Sequence, residues 1–124
     1  MKILLVQPWH RSDKTYRSKY SFLISYAPLT LATLKALIPK ELNIEVDVCD
    51  EMVESISKYM KKQYDIVAIT LQTSAALKSY EIAKTFKEKG SYIVMGGYHP
   101  TYMPDEALHR IICNMGIGWV WSKL

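Results

Sequence analysis

DIVAITLQTSAALKSYEIAKTFKEKGSYIVMGG, residues 65–97, is the stretch that decides the fold. Asp65 to Leu71 is an almost continuous apolar run, the pattern of a strand buried on both faces in a parallel sheet. Ser74 to Lys89 has the spacing of a helix, with Ala76, Tyr80, Ala83 and Phe86 inward and Gly90 as its C-terminal stop. Tyr92 to Met95 is a further apolar strand, ended by Gly96-Gly97. Strand, helix and strand in this order form a parallel β-α-β unit with a right-handed crossover.

Upstream, Lys2 to Pro8 contains the unbroken run Ile3, Leu4, Leu5, Val6, another strand of the buried kind, and residues 9 to 20 form a polar loop. Pro28 opens a helix in which Leu29, Leu31, Ala32, Leu34, Leu37 and Ile38 recur at helical spacing, and Pro39 stops it. Asn43 to Asp50 alternates Ile44, Val46 and Val48 with Glu45 and Asp47, which places a half-wet strand nearer a sheet edge. Glu51 to Lys62 has the pattern of a weak amphipathic helix carrying Val53, Ile56 and Met60. Downstream, Met103 to His109 is a short helix with Pro104, Asp105 and Glu106 in its first turn, where negative charge suits the dipole. Arg110 to Asn114 is a candidate last strand. The alternation predicts one α/β domain over residues 1–124, a flavodoxin-like or Rossmann-like three-layer sandwich. Its parallel sheet has four to five strands in the order 2-1-3-4-5.

The composition agrees. The chain has 124 residues, 49% of them apolar and 23% charged, which suffices for one core and excludes disorder. No membrane span is expected, because the longest weakly charged stretch, Tyr20 to Leu34, is interrupted by Ser21, Ser25, Pro28 and Thr30. The opening MKILLVQP has too short an apolar run for a signal peptide. Cys49 and Cys113 are too few for a disulfide framework, a zinc site or an iron–sulfur cluster, which points to a reduced, cytoplasmic setting. The net charge of +4 is modest. Its local concentration, Arg11, Lys14, Arg17 and Lys19, reads either as a solvated basic loop or as a loop facing phosphate, and no nucleic-acid partner is expected.

In open parallel sheets, ligands bind beyond the carboxyl ends of the strands, at the point where strand order reverses. Three loops meet there: Pro8 to Tyr20, Leu71 to Ala75, and Gly96 to Met103. Thr70, Gln72, Thr73 and Ser74 put hydroxyls and an amide at a helix start. Thr73 or Ser74 is expected to be its N-cap, and the same groups suit a phosphate. Gly96-Gly97 allows either positive φ or close approach of a ligand to the backbone, or makes a plain turn. His99 beside it reads as a hydrogen-bonding group, a metal ligand or a solvated loop residue. No Walker loop, GxGxxG motif, receiver-type acidic pair or Ser/His/Asp set is present in the sequence.

MKILLVQP, YAPLTLATLKAL, YDIVAIT, the Thr-Ser helix start and GGYHPTYMPDEAL, over roughly residues 1 to 109, together resemble a known family. It is the N-terminal cobalamin-binding domain of radical S-adenosylmethionine enzymes, in the magnesium-protoporphyrin monomethyl ester cyclase-like branch. The resemblance implies a Rossmann-like module holding cobalamin over the strand carboxyl ends, its nucleotide tail between the sheet and a helix. On matching positions, Thr70, Gln72, Thr73 and Ser74 would line the tail pocket, Gly96, Gly97 and Tyr98 would pass it close to backbone, and His99 and Thr101 would sit at the rim. Pro8, Trp9 and His10 would lie under the corrin ring. The DxHxxG motif that brings an imidazole to cobalt in other carriers is absent, so cobalt is expected to lack one. No residue of the chain is assigned as a metal ligand; metal-ion binding is implied only with the cofactor.

CxxxCxxC is also absent, so no iron–sulfur cluster is expected in this chain and catalysis would need a missing or separate radical domain. From about residue 110 the tail departs from the family pattern and carries Trp119 and Trp121. Two further readings stay open. One is a ligand-free flavodoxin-like interaction or regulatory domain, its apolar tail pairing with a second copy. The other is a small nucleotide or flavin binder using the same crevice, against which the missing phosphate loop counts.

Overall fold

A computed structural model describes residues 1–9, 29–112 and 118–120, with side chains through Arg110. Its strands are β1 (Lys2–Gln7), β2 (Glu45–Asp50), β3 (Ile66–Thr70), β4 (Tyr92–Gly96) and β5 (Gly118–Val120). Its helices are α1 (Leu29–Leu37), α2 (Ala76–Glu88), α3 (Tyr98–Tyr102) and α4 (Pro104–Ile112). All strand pairs are parallel, in the order β2-β1-β3-β4-β5, so the predicted sandwich is the observed one.

The sheet has two unlike faces. Leu4 and Val6, Cys49, Val67 and Ile69, Ile93 and Met95 point to one side, where Ile56, Tyr59, Ile82, Ala83 and Phe86 complete a dry core. Apolar residues in unbroken register explain this, since Leu4 aligns with Val67 and Val67 with Ile93. Cys49 sits in this core, and burial pushes its thiol pKa up to about 12.

The crossovers after β2, β3 and β4 all run toward β5 and put their connections on this core face. The crossover from β1 to β2 runs the other way and puts α1 on the second face. Among the described residues α1 is the one helix there, packed over β1 with Leu31 as its buried residue. Ile66, Ala68 and Thr70 on β3, and Tyr92, Val94 and Gly96 on β4, are therefore only half-buried, while the alternate residues are buried. Among the described residues the second face is an apolar floor beside α1, half-buried along β3 and β4.

Three expectations differ from the structure. Glu51 to Lys62 forms turns and one 3-10 turn, Ile56–Lys58, rather than a helix. Ser55 accepts from the Ser57 amide, Asp50 from the Met52 amide, and these side chains compete with helical bonding. Val53, which a helix would turn inward, is exposed. Second, residues 110–112 belong to α4, not to a strand. The helix runs on because Asp105 and Glu106 stand in its first turn and His109 and Arg110 in its last, favourable at both ends of the dipole. The fifth strand comes later, at Gly118–Val120, paired with β4. Third, the apolar positions of α1 do not all turn inward, since Leu29 and Leu37 are exposed. The helix opener Pro28, His10, the basic segment 11–19, Cys113 and Trp121 lie outside the described residues.

Candidate functional site

The strand order reverses between β1 and β3, so the crevice there is bounded by the residues that follow those two strands and β4. Each boundary is built differently.

Pro8 is buried and Trp9 half-buried at the end of β1. Trp9 is held by a pair of groups that the sequence reading did not single out. Its amide donates to Glu51 Oε2 at 3.2 Å, and its carbonyl accepts from Lys78 Nζ at 3.3 Å. Lys78 and Glu51 form an ion pair at 2.8 Å, with the carboxylate side chain 5% exposed and the lysine 32%. A residue after β2 and one from α2 thus clamp the start of the β1 loop from the core-face side.

Gln7 closes β1 on the second face. It is 7% exposed, and its Oε1 is buried without a hydrogen-bond partner. A buried acceptor left without a donor costs about 1–3 kcal/mol. No residue type other than a polar one would incur that cost at the end of an apolar run, which was the available signal for this position.

After β3, Gln72, Thr73 and Ser74 are exposed and Thr70 is half-buried. Neither Thr73 nor Ser74 is an N-cap, contrary to expectation. A 3-10 turn, Thr73–Ala75, precedes α2, the position before each of these helices is Gln72 or Ala75, and neither start has a side-chain cap. The Thr73 hydroxyl instead lies 3.3 Å from His99 Nδ1.

His99 is buried at the start of α3, and its second ring nitrogen, Nε2, lies 3.2 Å from the Tyr80 hydroxyl and 3.7 Å from Glu106 Oε1. Tyr80 and His99 meet edge to face at a centroid distance of 6.3 Å. Burial, then the neighbouring Glu106 carboxylate, raises the Tyr80 pKa to about 12. His99 therefore ties the β3–α2 turn to α2 and α4 through both ring nitrogens. Tyr80 and Glu106, the other members of this network, were not singled out as site residues.

Gly96 and Gly97 do different work. Gly97 has φ +107°, and a Cβ there would lie 2.9 Å from the Leu71 carbonyl oxygen. Its freedom serves the close passage of the β4 turn beside β3, where the Leu71 amide donates to the Gly96 carbonyl at 2.7 Å. Gly96 has ordinary backbone, and a Cβ there would meet nothing within 4 Å. Tyr98 is exposed, and Thr101, also exposed, donates its hydroxyl to the Gly97 carbonyl at 2.8 Å.

Gln7, Thr70 and Gly96 are consecutive across the second face. Val6 aligns with Ile69, so Gln7 stands beside Thr70, and Thr70 aligns with Gly96. The Gln7 amide, the Thr70 hydroxyl and the Gly96 backbone thus lie at one level on the carboxyl-end side of this floor, and a Cβ at Gly96 would meet nothing within 4 Å. No group of three or more potential metal ligands occurs among the described residues, and none of their helices is long and apolar enough to cross a membrane. A shallow depression of about 560 Å³ lies at the opposite end, around Lys35, Pro39, Asn43 and Glu45. It contains none of the predicted site residues.

The model of the B12-binding domain matches residues 23–119. The chain is 35% identical over 125 residues to bacteriochlorophyllide d C-12(1)-methyltransferase of Chlorobaculum tepidum, covering 99% of this chain and 26% of that protein. It is 35% identical over 85 residues to bacteriochlorophyllide d C-8(2)-methyltransferase of the same organism, covering 68% of this chain and 18% of the relative. An uncharacterized methyltransferase of Pyrococcus horikoshii is 34% identical over 119 residues, covering 91% and 25%. The chain thus spans about a quarter or less of the length of these relatives. No solved structure gives a significant match.

Proposed function

The chain belongs to the B12-binding domain family, and from that premise we propose that it is the cobalamin-holding module of a radical S-adenosylmethionine methyltransferase, without catalytic activity of its own. The observation that carries the reading is the second face, over which α1 is the one helix among the described residues. A parallel sheet is ordinarily covered on both sides. Here the floor of β3 and β4 is half-buried beside α1, and a Cβ on Gly96 would meet nothing.

The residues present fit the group. Ala68, Val94 and Gly96 offer a smooth apolar floor for the nucleotide tail, and Thr70, Gln72, Thr73 and Ser74 offer hydroxyls and an amide at its edge. Tyr98 and Thr101 flank the exit of β4, and Gly97 keeps that turn close to Leu71. Pro8 and Trp9, fixed by Glu51 and Lys78, would support the corrin ring, as His10 would in the same loop. His99 spends both ring nitrogens inside the protein, so in this reading it positions the β4 turn and gives cobalt no imidazole.

When bound, cobalamin supplies a cobalt centre able to carry a one-carbon group, which suits the methyltransferase names of the relatives. The chain's part is to bind it, orient it and exclude water from one side. Reaction, substrate and iron–sulfur chemistry would belong to a separate radical domain.

The test is retention. The purified chain is mixed with hydroxocobalamin, or with flavin mononucleotide as control, and passed through a gel-filtration column with absorbance scanning. Near-stoichiometric corrin absorbance in the protein peak, with no flavin, is expected. A folded, colourless protein, or one that retains the flavin instead, refutes the reading.

A further inference from the structure

Side chains carry the pairing of β1 past the end of its ladder with β2. In that ladder the Glu45 amide donates to the Met1 carbonyl and the Glu51 amide to the Gln7 carbonyl, both at 3.1 Å, so odd-numbered residues of β1 bond toward β2. The next rung of a parallel ladder would join the Trp9 amide to the Glu51 carbonyl. By then the chain after β2 has turned away, with the Val53 and Glu54 amides on the Asp50 carbonyl. The Glu51 carboxylate takes the place of its own carbonyl and accepts from the Trp9 amide at 3.2 Å. Lys78, in the first turn of α2, donates to the Trp9 carbonyl at 3.3 Å and to the same carboxylate oxygen at 2.8 Å. One ion pair thus holds both main-chain polar groups of a single residue. Toward β3 the ladder loses a donor instead. Even-numbered residues face that way, since the Asp65 amide donates to the Lys2 carbonyl, and Pro8 has no N–H to give.

Packing alone does not call for this pair. Two apolar side chains of similar volume would suit a carboxylate position that is 5% exposed as well as an ion pair does. They could not hold an amide and a carbonyl.

We infer that Glu51 and Lys78 are positioning residues of the corrinoid site. They extend the pairing of β1 to Trp9 and order the start of the loop at the crevice before the ligand arrives. The inference rests on the proposed function and adds to it two residues outside the stretches that carry the family resemblance. A loop start ordered in advance raises affinity, because binding no longer has to order it. Ordering the backbone of one freed residue on binding corresponds to about a tenfold loss of affinity.

Three variants separate positioning from mere support of the fold: Lys78→Met, Lys78→Arg, and Glu51→Met combined with Lys78→Met. Two quantities are read for each, the unfolding midpoint without ligand and the affinity for hydroxocobalamin at a temperature where the protein is folded. Lys78→Met leaves a buried carboxylate without its cation, and both quantities are expected to fall, the affinity by about tenfold. Lys78→Arg keeps a donor for the Trp9 carbonyl and is expected to restore both. The double variant removes the stranded charge, so its midpoint is expected to return toward the wild-type value while its affinity stays about tenfold low. It also carries the test if Lys78→Met does not fold.

A double variant that binds like the wild type overturns the inference and leaves the proposed function standing. So does a Lys78→Met protein that is less stable but binds unchanged, because the pair then serves the fold alone. Lys78→Arg binding as weakly as Lys78→Met overturns it as well. A folded wild type that retains no hydroxocobalamin refutes the cobalamin reading, and the inference with it.

Discussion

Gly96 and Gly97 are adjacent, yet valine at each should fail in opposite ways. At Gly97 a side chain meets backbone. Its Cβ would stand 2.9 Å from the Leu71 oxygen and 3.2 Å from the Leu71 nitrogen, at φ +107°, which a β-branched residue rarely adopts. Neither atom is the end of a flexible side chain, so the strands themselves would have to part. Strained backbone of this kind costs about 1–3 kcal/mol, which for a chain of this size lowers the unfolding midpoint by roughly 5–15 °C. At Gly96 the backbone is ordinary and the space above is open, and valine suits a strand better than glycine by up to about 1 kcal/mol. Gly96→Val should therefore unfold at or slightly above the wild-type temperature, and its isopropyl group should occupy the floor on which the ligand tail would lie. The assay pairs thermal unfolding by circular dichroism with hydroxocobalamin titration. Expected are a stable Gly96→Val that has lost binding by at least tenfold and a destabilised Gly97→Val. A Gly96→Val protein that binds like the wild type would remove Gly96 from the site. A Gly97→Val protein as stable as the wild type would refute the geometric reasoning at the turn.

Two other perturbations follow from charges. Lys78→Met leaves Glu51 buried with the Trp9 amide as its remaining partner, and should lower stability by about 1–3 kcal/mol in denaturant unfolding, less than a fully buried pair because the lysine is partly exposed. Lys78→Arg should recover most of it. Asp47 accepts from the Tyr64 hydroxyl at 2.6 Å and from Lys62 at 2.9 Å, and these hold its carboxyl below the ordinary value of 3.8. A depressed folded pKa contributes stability that is fully present above the ordinary value and is lost as pH falls through the lowered one. Thermal midpoints measured from about pH 5 to pH 2 should therefore fall less steeply for Asp47→Asn than for the wild type.

Much of the architecture was legible because buried parallel strands write continuous apolar runs. ILLV, IVAI and YIVM each name a strand, and helices between them leave few topologies once right-handed crossovers are required. Glu51 to Lys62 misled because Val53, Ile56 and Met60 have a helical period while Ser55 and Asp50 bond the local backbone instead. The end of α4 misled because Ile111-Ile112 suits a strand equally well, and the charges placed one turn earlier decided for the helix. The site was legible at the level of loops and not of contacts. Thr73, Gly97 and His99 were visible as residues, but the Thr73–His99–Tyr80 network joins three elements and has no local signature. Glu51 and Lys78 look like surface charges until β2 and α2 bring them together. Gln7 did have a signature, an amide where an apolar run should continue.

The central claim of the proposal is that a corrinoid lies on the α1 side of the sheet at the strand carboxyl ends. Amide chemical shifts of isotope-labelled protein, followed through a titration with diamagnetic hydroxocobalamin, test it most directly. The account predicts that changes concentrate on Gln7, Thr70, Gln72, Gly96 and Tyr98, and leave Ile82 and Phe86 on the core face nearly still. Saturating cobalamin with no such changes, or with changes gathered around Lys35, Asn43 and Glu45 at the opposite end, would contradict it.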